Sequence, residues 1–276
     1  MRVGLITPDP GHPLLAATAA LLTGDRHAVE VLDPRAGVAA AGSGAPADVY
    51  LLKARTPSAL ALARELERRG APVLNSAAAT ERCQDRTVMA ELAERAGLPF
   101  AATRAFGSAA LLVSASRLPW PMVVKSRRSR KYDLVARVDD PAGLRELASS
   151  WAGEPVVVQA FAPNDGWDHK VWVVGDQVFA ALRRSELAPD DGSPERSGVR
   201  LPDGWAELAL RVGEAFSLDV YGVDLVATGT GAPLVVDVNA FPGIRRQPGA
   251  PRALARLALA RAAGARDAGA ALSRRA

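Results

Sequence analysis

The sequence predicts a mixed α/β and α+β protein of three lobes, and three observations carry that reading. Residues 1–75 alternate short apolar strands with amphipathic helices, the pattern of a parallel sheet with crossover connections. From residue 101 short strands surround two brief helices, which reads as a smaller α+β lobe. Beyond residue 161 the strands pair about tight turns at Gly175-Asp176 and Thr228-Gly229-Thr230-Gly231, which marks hairpins. With 276 residues the chain has the length of two domains or three small lobes.

In the first lobe, residues 1–77, strands are expected at 3–6, 29–32, 49–52 and 73–74, with helices at 13–23 and 57–69. Asn75-Ser76 closes that unit. Residues 78–96 read as one long helix stopped by Gly97-Leu98-Pro99. It opens the second lobe, 78–157, which holds strands at 102–105, 122–125 and 134–138 and helices near 107–115 and 141–150. A strand at 156–161 leads into the third lobe, 158–276. There strands are expected at 170–174, 178–183, 220–227 and 233–239, with a helix at 204–216. A loop rich in Pro, Gly, Asp and Ser occupies 186–203. The tail, 251–276, is alanine- and arginine-rich helix.

Composition narrows the function. Apolar residues make up 49% and charged residues 23%, as in ordinary globular proteins. One cysteine, Cys83, excludes an internal disulfide framework and suits a reducing cytosol, so a cytoplasmic location is expected. No CxxC pair or Cys/His cluster offers a zinc site. No apolar run is long enough for a membrane span, and Pro8 and Pro10 interrupt the N-terminus too early for a signal peptide. The net charge of +4 comes from arginines spread over helix faces among acidic residues, so nucleic acid is not an expected partner.

Asp224, Asp237 and Asn239 give the strongest chemical signal. Residues two apart on a strand share a face, so Asp237 and Asn239 present oxygen atoms side by side. A hairpin centred near Thr230-Gly231 brings Asp224 opposite Asp237. Two facing carboxylates repel unless a cation lies between them, and hard oxygen donors suit magnesium shared with nucleotide phosphates. The plainer alternative is a polar strand end with Asn239 opening a turn.

Lys125 closes the apolar strand Pro121-Met122-Val123-Val124, where it either reaches solvent or holds a phosphate. Gln159, Ala160 and Phe161 end another apolar strand. They offer an amide and backbone groups to an adenine edge, or a glutamine paired within the core. Asp168 and Lys170 share a strand face and form either a simple ion pair or part of an anion site. Arg183 and Arg184 close the following strand, where arginine either stays solvated or stabilises a transferring phosphoryl group. Other chemistries lack their motifs: there is no GxxxxGK[ST] loop, no GxGxxG after the first strand and no GxSxG elbow. The three histidines, His12, His27 and His169, are scattered.

Taken in order, these residues resemble the ATP-grasp superfamily from about Asn75 to Pro251, and the N-terminal lobe also fits. Asn75, Asp85-Arg86, Leu92 and Gly97-Leu98-Pro99 look like its entry helix. Pro121–Lys125 looks like its central strand, and Val158–Phe161 is similar to its interlobe strand. Lys170–Gly175 and Ala181-Leu182-Arg183 follow in order. Asp237-Val238-Asn239-Ala240-Phe241-Pro242-Gly243 is the most specific piece. It is close to the closing motif of the inositol-phosphate kinase branch and related to that of the ribosomal-protein glutamate ligase branch.

The resemblance implies an ATP-grasp fold, with a Rossmann-like N-terminal lobe and two lobes gripping ATP. It implies two metal sites, for Mg2+ or Mn2+, on Asp224, Asp237 and Asn239. Arg86, Lys125, Gln159, the Ala160-Phe161 backbone, Asp168 and Lys170 would hold the nucleotide, with Lys170 and Arg183 or Arg184 acting on the γ-phosphate. Two departures stand out. Arg86 replaces the usual lysine of the entry helix. A glycine-rich loop is replaced by Ser126-Arg127-Arg128-Ser129-Arg130-Lys131, whose Arg128 and Arg130 suit an anionic acceptor. Gly243 and Arg245 are expected near that acceptor. The leading expectation is a carboxylate–amine ligase acting on a small anionic molecule or peptide. The alternatives are a polyol-phosphate-type kinase and an ATP-binding module without turnover.

Overall fold

The computed structural model describes residues 1–189 and 192–273; Asp190 and Asp191 of the expected loop, and the last three residues of the tail, lie outside the described residues. The first lobe contains β1 (Arg2–Ile6), α1 (Pro13–Gly24), β2 (Ala28–Leu32), a short 3-10 segment (Pro34–Ala41), β3 (Val49–Leu52), α2 (Pro57–Arg68) and β4 (Val73–Leu74). The four strands are parallel in the order β2-β1-β3-β4. Strand β3 is apolar at every position because helices cover both sheet faces. Val3, Leu5, Val49 and Leu51 face α1. Ile6, Tyr50 and Leu52 face α2, which Thr56 caps by accepting the Ala59 amide. The Tyr50 ring lies so close over Gly4 that a Cβ there would overlap it.

Two helices follow, α3 (Ala77–Arg82) and α4 (Arg86–Arg95), where one long helix was expected. The break at Cys83-Gln84-Asp85 arises because Asp85 is a stronger cap than a helix interior residue. Its side chain accepts the Thr87 amide and starts α4 afresh. The restart makes Arg86 the first helical residue.

The second sheet is antiparallel, ordered β5-β8-β6-β7, from β5 (Thr103–Phe106), β6 (Met122–Ser126), β7 (Val135–Val138) and β8 (Val156–Ala160). Helices α5 (Ala109–Val113) and α6 (Pro141–Trp151) close one face over Met122, Val124, Val156 and Val158. The third sheet, also antiparallel, runs β11-β10-β9-β12-β13. Its strands are β9 (Trp167–Val174), β10 (Gln177–Arg184), β11 (Arg196–Ser197), β12 (Val220–Ala227) and β13 (Pro233–Ala240). Helix α7 (Trp205–Phe216) covers one face together with α3 and α4, through Cys83, Met89 and Ala93. The start of the expected 78–157 lobe is thus packed into the core of the last sheet.

Helix α8 (Ala250–Ser273) also joins lobes. Ala253, Leu254 and Ala258 share one core with Leu14 and Leu15 of α1, Leu51 of β3, and Trp172 and Val174 of β9. Among the described residues no helix is long and apolar enough to cross a membrane.

Asn75, fully buried, is the polar pin between the first and last lobes. Its Nδ2 donates to the Val220 carbonyl at 2.6 Å, and its Oδ1 accepts the amides of Asp219 at 2.8 Å and Val220 at 2.9 Å. Asn75→Ala would leave those backbone groups unpaired in a dry interface. The expected loss is about 2–4 kcal/mol, read as a fall in thermal midpoint; a change below about 0.5 kcal/mol would mean water replaces the side chain.

Candidate active site

The hairpin β12-β13 places Asp224 directly opposite Asp237, with Asn239 two residues further along the same face. The register shifts between Asp224 and Leu225, so Val236 is an unpaired extra residue, a β-bulge. Its freed carbonyl accepts Lys125 Nζ at 2.7 Å, from the opposing sheet. On the other side of β12, strand β9 sets Lys170 opposite Asp224. Lys170 Nζ lies 2.9 Å from Asp224 and 3.3 Å from Asp168. Three neighbouring strands therefore present a row of charges, the cation Lys170 followed by the two carboxylates Asp224 and Asp237.

Arg86 completes the row from α4. Its Nη1 donates to Asp133 at 2.7 Å and to the Ser126 carbonyl at 2.8 Å, and its Nη2 donates to Asp237 at 3.0 Å. A lysine has no fork to span acceptors on two lobes, which explains arginine here. Asp133 was missed from the sequence; it lies beyond the basic loop, and its partner is distant in the chain.

Burial sets the electrostatics. It pushes Lys125 down to about 8, although Asp237 pulls the other way. Burial also acts to lower Lys170, but Asp224 and Asp168 outweigh it and hold that ammonium above its ordinary value. Asp224 is raised by burial, partly offset by Lys170. Burial pushes Asp237 up as well, yet Arg86 and Lys125 outweigh it and keep its carboxylate below the usual range.

These groups converge on a cavity of about 280 Å³ between the second and third sheets. Arg86, Lys125, Gln159, Ala160, Phe161, Asp168, Lys170, Asp224, Asp237 and Asn239 all line it, as does Arg130. The Gln159 amide donates to Thr103 Oγ1 at 2.9 Å. The Phe161 amide is already used, donating to the Pro121 carbonyl at 2.9 Å, so its carbonyl is the backbone group left for a ligand. The Arg137 guanidinium stacks 4.2 Å from the Phe161 ring, a contact the sequence did not reveal.

Arg183, Arg184, Arg128, Gly243 and Arg245 are absent from that lining. Arg183 pairs in register with Asp168, so it shares the cavity face, and its guanidinium lies 3.7 Å from Glu186 of the lining. Arg184 turns away, donating to the carbonyls of Asp165 and Gly166. The register thus separates the two arginines, which sequence reading left level. In the basic loop Arg127 lies 2.9 Å from Asp85, and Arg130 lies 2.6 Å from Glu154. Two of its four cations are therefore neutralised within the fold. Gly243 lines a separate, adjoining cavity.

Two antiparallel sheets closing on a charged cavity, beside a parallel N-terminal lobe, define an ATP-grasp architecture. The RimK domain ATP-grasp protein from Sphaerobacter thermophilus superposes with a TM-score of 0.76 at 23% identity, covering 94% of this chain and 100% of that one. The ATP-grasp ligase PsnB, complexed with a minimal precursor, gives 0.70 at 17% identity, covering 94% and 99%. The RimK-like ATP-grasp domain model matches residues 100–249, over half of the chain, and the chain belongs to that family. A probable alpha-L-glutamate ligase of Rhodopirellula baltica is 38% identical over 95 residues, 32% of this chain and 23% of that protein. The ribosomal protein bS6–L-glutamate ligase of Escherichia coli is 29% identical over 194 residues, 66% of this chain and 63% of that protein. The matched stretches span less than two thirds of these relatives' own length.

The ion-pair geometry gives a pH-dependent prediction. A carboxylate held below its unfolded value contributes stability that is present above that value and lost as pH falls through the folded one. Asp237→Asn should therefore cost about 3 kcal/mol at pH 7, because Arg86 and Lys125 lose a buried partner. Denaturation at a series of pH values should show that deficit shrinking below about pH 4. A deficit independent of pH would show that the carboxylate charge is not what matters.

Proposed function

We propose that the chain is an ATP- and magnesium-dependent carboxylate–amine ligase, acting through an acyl phosphate on an anionic small molecule or peptide. The observation that carries this is the partly buried row of Lys170, Asp224, Asp237 and Asn239 facing the buried Lys125 and Arg86 across one cavity. It supplies cations for a triphosphate from both lobes and oxygen donors for a divalent ion from one.

The donor set suits magnesium. The donors would be two carboxylates, Asp224 and Asp237, and the Asn239 amide oxygen, side by side on the β12-β13 hairpin. Such a sparse oxygen set leaves coordination positions for phosphate oxygens and water, as magnesium prefers, and manganese accepts the same donors. When bound, the ion neutralises phosphate charge. Lys125 and Lys170 then act as point charges on the phosphates, and Arg86 keeps Asp237 ionised and aimed. Gln159 and Phe161 line the same cavity, where the Gln159 side chain and the Phe161 carbonyl would meet an adenine edge.

In the reaction an acceptor carboxylate takes the terminal phosphoryl group and becomes an acyl phosphate. An amine nitrogen then attacks the acyl carbon, free phosphate leaves, and the amine proton passes to solvent. No side-chain nucleophile is required. The relatives named as glutamate ligases support this class of reaction. The basic loop favours the kinase alternative less than its composition suggests, because Arg127 and Arg130 are bound to Asp85 and Glu154.

Hydroxylamine in place of the amine tests the reading. With ATP, magnesium and a panel of amino acids and short acidic peptides, the chain should yield ADP and a hydroxamate. Asp237→Asn should lower that rate by about 100-fold or more. ADP formation with a phosphorylated hydroxyl and no hydroxamate would favour the kinase, and wild-type turnover by Asp237→Asn would remove the metal assignment.

A further inference from the structure

Strand β5 lies at the edge of the second sheet and sets Thr103 directly opposite Gln159 of β8. Gln159 is 3% exposed and lines the charged cavity, on the sheet face away from α5 and α6. Its side chain ends a run of hydrogen bonds that begins in the third lobe. The Ala101 amide donates to the Val235 carbonyl of β13 at 2.9 Å. The Ala101 carbonyl accepts the Thr103 hydroxyl at 2.8 Å. Thr103 Oγ1 in turn accepts a proton from Gln159 Nε2 at 2.9 Å.

A side-chain amide turned over in place exchanges a donor for an acceptor, so its partners have to settle its orientation. Here the direction of each bond follows from Ala101. That residue is buried, and among the described residues the Thr103 hydroxyl is the donor that reaches its carbonyl. A buried carbonyl without a donor is costly, so the hydroxyl proton goes there. A hydroxyl has one proton, and Thr103 Oγ1 is left with lone pairs alone. It therefore accepts, and Gln159 must turn Nε2 toward it. Gln159 Oε1 then has no hydrogen-bond partner among the described residues and is not enclosed. It is the end of the amide open to the cavity.

We propose that Thr103 is a positioning residue for nucleobase choice: it holds Gln159 with its oxygen toward the base and so selects a 6-amino purine. The assignment rests on reading this cavity as the nucleotide site. An exocyclic amine donates to Gln159 Oε1. The Phe161 carbonyl is a second acceptor in the same lining, since the Phe161 amide is taken by Pro121. A 6-oxo purine instead brings an acceptor against these oxygens, and both sides are left unpaired. Without the Thr103 hydroxyl the amide is free to turn and offer Nε2 to the 6-oxo group. Thr103 itself lies behind Gln159 and outside the cavity lining, so it acts through the amide alone.

Calorimetric titration of the full chain with the magnesium complexes of ADP and inosine diphosphate provides the test. The two nucleotides differ only in the 6-oxo group of inosine and the proton it places on N1. The wild type should prefer ADP by about tenfold or more. Thr103→Val keeps the side-chain shape and removes the hydroxyl, and should lower that preference by about fivefold or more. Thr103→Ser should retain it. In a Gln159→Leu background Thr103→Val should leave the ratio of affinities unchanged, because its effect passes through the amide. Thr103 is half-buried at the start of an edge strand, and Thr103→Ala gives the same readout should valine not be accommodated. A preference that stays unchanged in Thr103→Val and Thr103→Ala, even where both affinities fall together, would overturn the proposal. So would a wild type that binds ADP and inosine diphosphate equally. A wild type that binds neither nucleotide would overturn the nucleotide reading itself.

Discussion

Two carboxylates, Asp224 and Asp237, face each other on adjacent strands inside the protein, and their repulsion has to be answered by cations. The surroundings are arranged around that need. Lys170 answers Asp224 from the neighbouring strand, while Arg86 and Lys125 answer Asp237 from outside the third sheet. The β13 bulge belongs to the same arrangement, because the carbonyl it frees holds Lys125 in place. None of these pairs is expected to add much net stability compared with apolar packing. Their value is positional, since they keep charged groups at fixed places around an open cavity.

The same constraint ties the lobes together. Arg86 bridges Asp133 and the Ser126 carbonyl of the second lobe to Asp237 of the third. Asn75 fastens the end of the first lobe to the start of β12. Helix α8 seals the first lobe against β9 with an apolar face. A cavity formed between lobes thus has walls fixed by polar pins on one side and by a shared core on the other. That combination permits both a precise charge array and access for a substrate.

Much of the site was legible because turn residues pin register. The Thr228–Gly231 turn marked β12 and β13 as a hairpin that brings Asp224 close to Asp237, although the bulge at Val236 sets their exact pairing, and the positions of Lys125 and Gln159 near their strand ends aimed both at the cavity. The break at Cys83–Asp85 was not legible, because the apolar pattern continues through it and only the buried cap made by Asp85 interrupts the helix. The bulge at Val236 has no sequence signature at all, being a one-residue mismatch between strands. Asp133 was invisible for a different reason: its significance depends on Arg86, far away in the chain.

The account is tested most directly by counting bound Mn2+ with electron paramagnetic resonance, in the presence of a non-hydrolysable ATP analogue. The expected result is tight Mn2+ binding that requires the analogue, falling by about tenfold or more in Asp224→Asn and in Asp237→Asn. Equal Mn2+ affinity in the wild type and both variants, or binding indifferent to the analogue, would contradict the claim that these facing carboxylates gather a divalent ion against a triphosphate.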